Sequence, residues 1–327
     1  MKNQVIGIDI SKDKMDFCLL DQQTLQVLGK GEIENHEKAI KKWLSELSIS
    51  RDSLFALEHT GHYGTCLVKL LSEQGYTFYL INPLEIKRSI GIQRGKSDAK
   101  DAYRIAEYII TNRHKVKPYQ LPAENLNRLK VLLTARERFV KMSVQVQNSL
   151  KANEIINKSV DVKMVIKEEK KQYEALKKSI KAIEHEMQTI VQADQEFKNS
   201  YKQATSVIGV GPIIAIKCIV ETDNFTKFQD PRKFSCHCGL APFQYQSGSS
   251  IRGKTKTHFL RDKSLKAILT KGAITAVQHD PQIKAYYNRK IQEGKHPMSV
   301  INAVANKLVL RIFAVTKRET PFVKLVA

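Results

Sequence analysis

Val5-Ile6-Gly7-Ile8-Asp9-Ile10 is a short apolar run interrupted by one carboxylate. A continuous apolar run of this length fits a buried β-strand. A charge inside such a strand is not left alone, because burying it unpaired is expensive. A metal ion beside Asp9, or a strand-end position near water, would resolve the conflict. Residues 15–20 and 26–33 read as two further strands joined by the turn-like Asp21-Gln22-Gln23. Residues 36–47 then carry helical periodicity, with Ile40, Trp43, Leu44 and Leu47 on one face. Leu54-Phe55-Ala56-Leu57-Glu58 repeats the opening pattern, an apolar strand ending in a carboxylate. A turn at His59-Thr60-Gly61 leads into a helix over 63–73, and 76–81 forms a fifth strand stopped by Asn82-Pro83. This order predicts a mixed five-stranded sheet covered by helices. In such a sheet, strand carboxyl ends face a common crevice.

The next stretch, Gly95-Lys96-Ser97-Asp98-Ala99-Lys100-Asp101-Ala102, begins a helix that continues through 103–110. Ser97 sits where an N-cap belongs, and Asp98 and Asp101 share a face of the first turn. A capping or solvated aspartate would look the same. If Asp9 and Glu58 meet this helix, four carboxylates converge and repel one another unless divalent cations neutralise them. Oxygen ligands of this kind suit Mg²⁺ or Mn²⁺. Asp13 and Asp16 are the rivals to Asp9 and are assigned to solvent.

The chain has 327 residues, enough for two domains. We find no apolar run of membrane-spanning length and no signal-peptide pattern, and expect no membrane partner. The five cysteines are scattered apart from Cys236-His237-Cys238, a weak zinc signal, and read as reduced thiols of a cytosolic protein. The formal net charge of +21 points to a polyanionic partner, nucleic acid above all. Residues 241–327 carry sixteen Lys or Arg against four Asp or Glu, whereas 151–200 carry ten against nine. The basic surface therefore belongs to the last quarter of the chain.

From Ala123 to Ile208 there is neither glycine nor proline, so long helices are expected. The first, bearing Leu126, Leu129, Leu132 and Leu133, is expected to pack on the first domain. In the second, Val162, Ile166, Tyr173, Leu176, Ile180, Ile183, Met187 and Ile190 alternate 4-3, with Glu169 the break, as in a coiled-coil seam. A contact between chains is favoured there over docking on the chain's own core. We divide the chain into an α/β domain over 1–150, a helical coiled-coil connector over 151–198 that pairs two chains, and a mainly α domain over 199–327. In the last, the glycines of 207–212 resemble a helix-hairpin-helix turn with N–H groups exposed to phosphate. Residues 244–256 form a polar, glycine-punctuated loop ending in Arg252, Lys254 and Lys256. A serine there can attack a phosphodiester with those cations stabilising charge, although such a loop is commonly only a turn. Arg88, Arg94 and Lys96 border the carboxylates as further nucleic-acid contacts. His237, His258 and His279 read as structural or phosphate-facing.

These motifs together resemble a known family, the DEDD-type insertion-sequence transposases of the "one-ten" group, also called bridge-RNA-guided recombinases. Gly7-Ile8-Asp9, Glu58-His59-Thr60-Gly61 and Ser97-Asp98-Ala99-Lys100-Asp101-Ala102 resemble the three parts of its RuvC-like, RNase H-type site. Pro212 with its preceding glycines, residues 234–242 and Ser247-Gly248-Ser249-Ser250-Ile251-Arg252-Gly253 resemble its transposase domain and catalytic serine loop. The nucleophile aligns best with Ser247, with Ser249 and Ser250 adjacent. The resemblance implies DNA cutting and rejoining through a covalent phosphoserine, with Mg²⁺ held by Asp9, Glu58, Asp98 and Asp101. It further implies dimers pairing into tetramers, the serine of one protomer completing the carboxylate site of another, and a structured noncoding guide RNA that pairs with target and donor DNA. A bacterial or archaeal cytoplasm, at the nucleoid, is the expected location. Two alternatives remain: a junction endonuclease using activated water, and a non-catalytic nucleic-acid scaffold.

Overall fold

A computed structural model of the chain describes residues 4–47, 49–59, 61–89, 98–247 and 251–323. Two compact units divide at Leu121/Pro122. The long helix after Pro122 makes its contacts within the second unit.

The first unit is built on a sheet of β1 (Gln4–Ile10), β2 (Lys14–Asp21), β3 (Val27–Glu34), β4 (Leu54–Glu58) and β5 (Thr77–Ile81). Their order across the sheet is β3-β2-β1-β4-β5. The β1–β2 and β2–β3 pairs are antiparallel, and β1–β4 and β4–β5 are parallel. This is the mixed sheet expected from the strand pattern, in the RNase H-type order that the resemblance implies. Helices α1 (Glu37–Glu46) and α2 (Thr65–Glu73) cover one face, where Ile6, Ile8 and Ile10 meet Ile40, Trp43, Leu67 and Leu71. After the short α3 (Pro83–Ser89), α4 (Asp98–Asn112) covers the other face. There Val5, Leu54, Ala56, Tyr79 and Ile81 meet Ala102, Ile105, Ala106 and Ile109.

The second unit opens with two long helices, α5 (Glu124–Ile156) and α6 (Lys163–Ala193). Arg128 bonds Glu186, Arg136 bonds Glu184, and Ser149 and Asn153 both bond Glu169, so the pair runs antiparallel. Leu126, Leu129 and Leu133 pack with Met187, Ile190 and Val191, and with Ile216 and Ile219 further along. Two expectations are thereby corrected. The first long helix packs within the second unit, and the heptad seam of α6 is matched by a helix of its own chain. A 4-3 apolar stripe asks only for a partner helix, and the short connection at 157–162 supplies the nearest one.

The remainder is α7 (Gln195–Thr205), α8 (Pro212–Thr222), α9 (Pro231–His237), a hairpin of β6 (Phe243–Ser247) and β7 (Ile251–Lys256), then α10 (Lys263–His279), α11 (Pro281–Gln292) and α12 (Pro297–Arg318). At 22 residues, α12 is long and apolar enough to span a membrane, contrary to the expectation from sequence. In this fold it is the central core helix: Val304, Ala305, Leu308, Val309 and Ile312 are fully buried. The turn before α8 also has a packing role. Gly209 has φ +92°, and a Cβ there would fall 2.9 Å from the Ala276 Cβ of α10, with the Gly272 carbonyl closer still. Its glycine serves close packing, which side chains would block.

Candidate active site

The geometry starts from one close approach. A Cβ on Gly7 would collide with the Ala102 carbonyl oxygen and lie 2.6 Å from the Ala106 amide nitrogen. Only glycine lets α4 lie this tightly on β1. Side chains alternate across a strand, so Asp9 points to the same face as Gly7 and Val5, the α4 face. Glu58 shares the parity of Leu54 and Ala56, which pack under α4, and follows Leu57, the register partner of Ile8. Asp9 and Glu58 are thus neighbours at the ends of adjacent parallel strands. On the helix, Asp98 lies one turn before Ala102 in the chain, and Asp101 lies one turn before the buried Ile105, which puts it on the sheet-facing stripe. Asp9 and Asp98 are each about 6–7 Å along the backbone from the Gly7–Ala102 contact, and Asp101 is the residue directly before Ala102. Strand parity and helix position put Asp9, Glu58 and Asp101 on one face; the side chain of Asp98 lies outside the described residues.

Two further groups belong to this face. Arg104 donates to Asp101 at 2.8 Å, with both side chains largely buried. Asp16, assigned to solvent from sequence, is paired directly with Asp9 in the β1–β2 register, and its side chain is only 15% exposed. Asp13 is exposed, as expected. The signal for Asp16 was present: it shares the parity of the buried Cys18 and Leu20 on β2. Lys14 Nζ lies 3.6 Å from Asp16 and 2.7 Å from Glu32. Carboxylates directly opposed across a strand pair destabilise it unless cations intervene. The donor set is oxygen throughout, which fits Mg²⁺ or Mn²⁺.

Arg88 is exposed on α3, whereas Arg94 and Lys96 lie outside the described residues. Ser247 ends β6 and pairs with Ile251 of β7. The expected polar loop is therefore largely an antiparallel hairpin, whose ladder needs only backbone groups and leaves little apolar signature in sequence. Ser249 and Ser250 lie outside the described residues. Arg252, Lys254 and Lys256 all stand on β7.

In the second unit, sequence reasoning missed a buried polar cluster. Lys217 of α8 is 7% exposed, and its ammonium lies 2.6 Å from Glu137, 3.7 Å from Asp262 and 4.0 Å from Glu221. Burial works to lower the Lys217 pKa, but the Glu137 hydrogen bond and the surrounding carboxylates carry it above its ordinary value. Glu137 is likewise opposed by burial, yet hydrogen bonds from Lys217 and Ser264 hold it below the usual carboxylate range. His237 beside Glu221, then Lys217, hold the Glu221 carboxyl low against its burial. Among the described residues, Glu221, His237 and Asp262 could gather around a metal ion, but Lys217 already places a cation beside two of them. Neither flanking cysteine belongs to this trio. Burial pushes the Cys218 thiol up to about 12 and raises that of Cys238, so these are protonated core thiols.

Comparison with known proteins places this geometry in context. The family model for DEDD-type IS110 transposases matches residues 6–153. A second model, described as "Transposase IS116/IS110/IS902 family", matches residues 201–288. The pilin gene-inverting proteins of Moraxella bovis and Moraxella lacunata are each 24% identical over 329 residues, covering 99% of this chain and 99% of theirs. Among solved structures, Thermus thermophilus RuvC in complex with a Holliday junction substrate matches at 14% identity and a TM-score of 0.29, over 36% of this chain and 99% of that one. That overlap is too loose to carry any residue correspondence.

Proposed function

This chain belongs to the IS110 family of transposases, a family of DNA-cleaving and rejoining enzymes, and from that premise we propose how its residues divide the work. Asp9, Glu58, Asp98 and Asp101 hold Mg²⁺ or Mn²⁺. The ion, when bound, supplies Lewis acidity at a phosphodiester. The observation that supports this reading is the Gly7–Ala102 contact, which brings the start of α4 against the strand that carries Asp9. Ser247 is the nucleophile. Its Oγ forms a bond to phosphorus as its proton passes to solvent, the bridging P–O bond breaks, and the displaced sugar oxygen takes a proton from solvent to leave as a hydroxyl. Attack by a hydroxyl of the partner strand reverses the exchange, rejoining DNA and releasing the serine. Ser249 and Ser250 are the alternative nucleophiles.

Arg252, Lys254 and Lys256, with Arg88, Arg94 and Lys96, contact phosphates. Delegating base readout to a structured guide RNA fits a chain whose basic excess suits backbone contact. Two chains pair and the pairs assemble into tetramers, so that Ser247 of one protomer serves the carboxylates of another. The tip of the α5–α6 hairpin exposes Ile155, Val160 and Met164, which supports pairing there. The cytoplasm is the proposed location.

The second reading is a junction endonuclease using activated water. The printed name of the Moraxella relatives describes inversion of a gene, a rearrangement that needs rejoining, and this favours the serine mechanism. The test is to stop a cleavage reaction under denaturing conditions and look for DNA covalently attached to protein. Attachment lost in Ser247→Ala supports the reading. Free 5′ phosphates with full activity in Ser247→Ala would hand the reaction to water.

A further inference from the structure

The β6–β7 hairpin stands on two feet, the end of α9 and the start of α10, and both are fastened to the same helix. At the base, the Asp262 amide donates to the His237 carbonyl at 2.9 Å. The Arg261 side chain lies across Gly239, where a Cβ would fall 2.9 Å from the Arg261 Cβ. Beneath them, α8 presents Lys217 and Glu221 one helical turn apart. Glu221 Oε2 lies 3.5 Å from His237 Nε2 on the first foot, and Lys217 Nζ lies 3.7 Å from Asp262 Oδ2 on the second. Glu137 of α5 braces the arrangement. One of its oxygens accepts from Lys217 at 2.6 Å and from Ser264, in the first turn of α10, at 2.5 Å. Asp262 also caps α10 by accepting from the Leu265 amide at 2.9 Å, and Asn302 of α12 donates to the Leu240 carbonyl at 2.8 Å.

Three carboxylates around one buried ammonium are a poor way to gain stability, since apolar residues of similar volume commonly do as well. What such a network supplies is direction. It ties segments separated by over a hundred residues into one register, and a hairpin displaced at its base is displaced further at its tip. We propose that Glu137, Lys217 and Glu221 are positioning residues that fix both feet of the β6–β7 hairpin and thereby set where Ser247 is presented to DNA. This rests on the reading of Ser247 as the nucleophile. None of the three touches the reacting atoms; they act through His237, Asp262 and Ser264.

The experiment uses the full-length chain and compares wild type with Glu221→Gln, Glu137→Gln, His237→Gln and His237→Leu. Amide hydrogen exchange is read over residues 243–247 and 251–256, with β1–β5 and α6 as internal references. Covalent protein–DNA adduct is timed in a single turnover, and DNA affinity is measured separately. Glu221→Gln and His237→Leu are expected to speed hairpin exchange about tenfold with the references unchanged. Adduct formation should slow by about a hundredfold at nearly constant DNA affinity, as expected for a misplaced reactive group. His237→Gln, which keeps a polar group facing Glu221, should retain most of the rate. Unchanged hairpin exchange in the folded variants would overturn the proposal. So would faster exchange with an unaltered adduct rate in a protein whose adduct is lost in Ser247→Ala. Faster exchange throughout the second unit, with loss of rate in proportion, would reduce the network to ordinary structural support and also overturn it. Should Glu137→Gln fail to fold, the variants at the half-buried 221 and 237 decide. If Ser247→Ala still forms adduct, the nucleophile reading fails, while the exchange data independently decide the clamp.

Discussion

Gly7 of β1 lies against Ala102 of α4 so closely that no side chain fits between them. This contact sets the distance between the strand that carries Asp9 and the helix that carries Asp98 and Asp101. Gly7→Ala therefore probes the site from within the core. The added methyl meets backbone rather than a yielding side chain, so overpacking should destabilise the first unit by about 1–3 kcal/mol. Urea denaturation measures that loss. DNA cleavage, assayed where the variant remains folded, should fall well beyond it because α4 is displaced.

Asp9→Asn, Glu58→Gln and Asp101→Asn should each reduce cleavage by at least about a hundredfold while leaving DNA binding in place. Asp16→Asn should behave differently. As a carboxylate opposite Asp9 with Lys14 for company, it should shift the Mg²⁺ dependence of cleavage about tenfold or more, as groups behind metal ligands do. Asp13→Asn should do nothing. A Mg²⁺ titration of all five variants separates these roles, and an unshifted Asp16→Asn curve removes Asp16 from the site.

The Lys217 cluster makes a prediction about pH. Glu137 and Glu221 are held below their ordinary value of 4.5, so their contribution is complete above it and is lost as pH falls through their folded values. Lys217 is raised above 10.5, so its contribution is complete below that pH and is lost as pH rises past its folded value. Stability of the second unit should be flat between these limits. Glu137→Gln should lower that plateau by about 3 kcal/mol, because it strips the closest partner from a buried ammonium. It should also weaken the acid dependence. Denaturation midpoints across pH report both, and a parallel curve would refute the assignment.

Arg252→Ala should weaken DNA binding evenly across sequences and lower the slope of log affinity against log salt by about one. A slope equal to wild type takes Arg252 off the phosphates.

The two long helices separate folding from assembly. Met187 is fully buried, so Met187→Ala should cost about 2–5 kcal/mol. Ile155 and Met164 are 68% and 80% exposed, so Ile155→Ser with Met164→Ser should leave stability intact. If the hairpin tip pairs chains, that double variant should sediment as a smaller species. An unchanged sedimentation coefficient would place the pairing surface elsewhere.

By itself the sequence determined what is local and periodic. The first sheet was legible because alternation and apolar runs are written directly into consecutive residues, and 54–58 repeats the pattern of 5–10. The strand-end positions of Asp9 and Glu58 were legible because a charge closing an apolar strand is conspicuous, and the long helices because glycine and proline are missing from 123–208. Tertiary structure decided what depends on which surfaces meet. A heptad stripe cannot say whose helix fills it, and α5 of the same chain does. Parity with Cys18 and Leu20 marked Asp16 as inward-facing, but only pairing set it opposite Asp9, and only the fold showed that Gly209 packs against α10. The cluster of Glu137, Lys217, Glu221, His237, Asp262 and Ser264 left no pattern at all. Its members lie on four separate segments, and each is unremarkable until burial removes the water that would otherwise screen its charge.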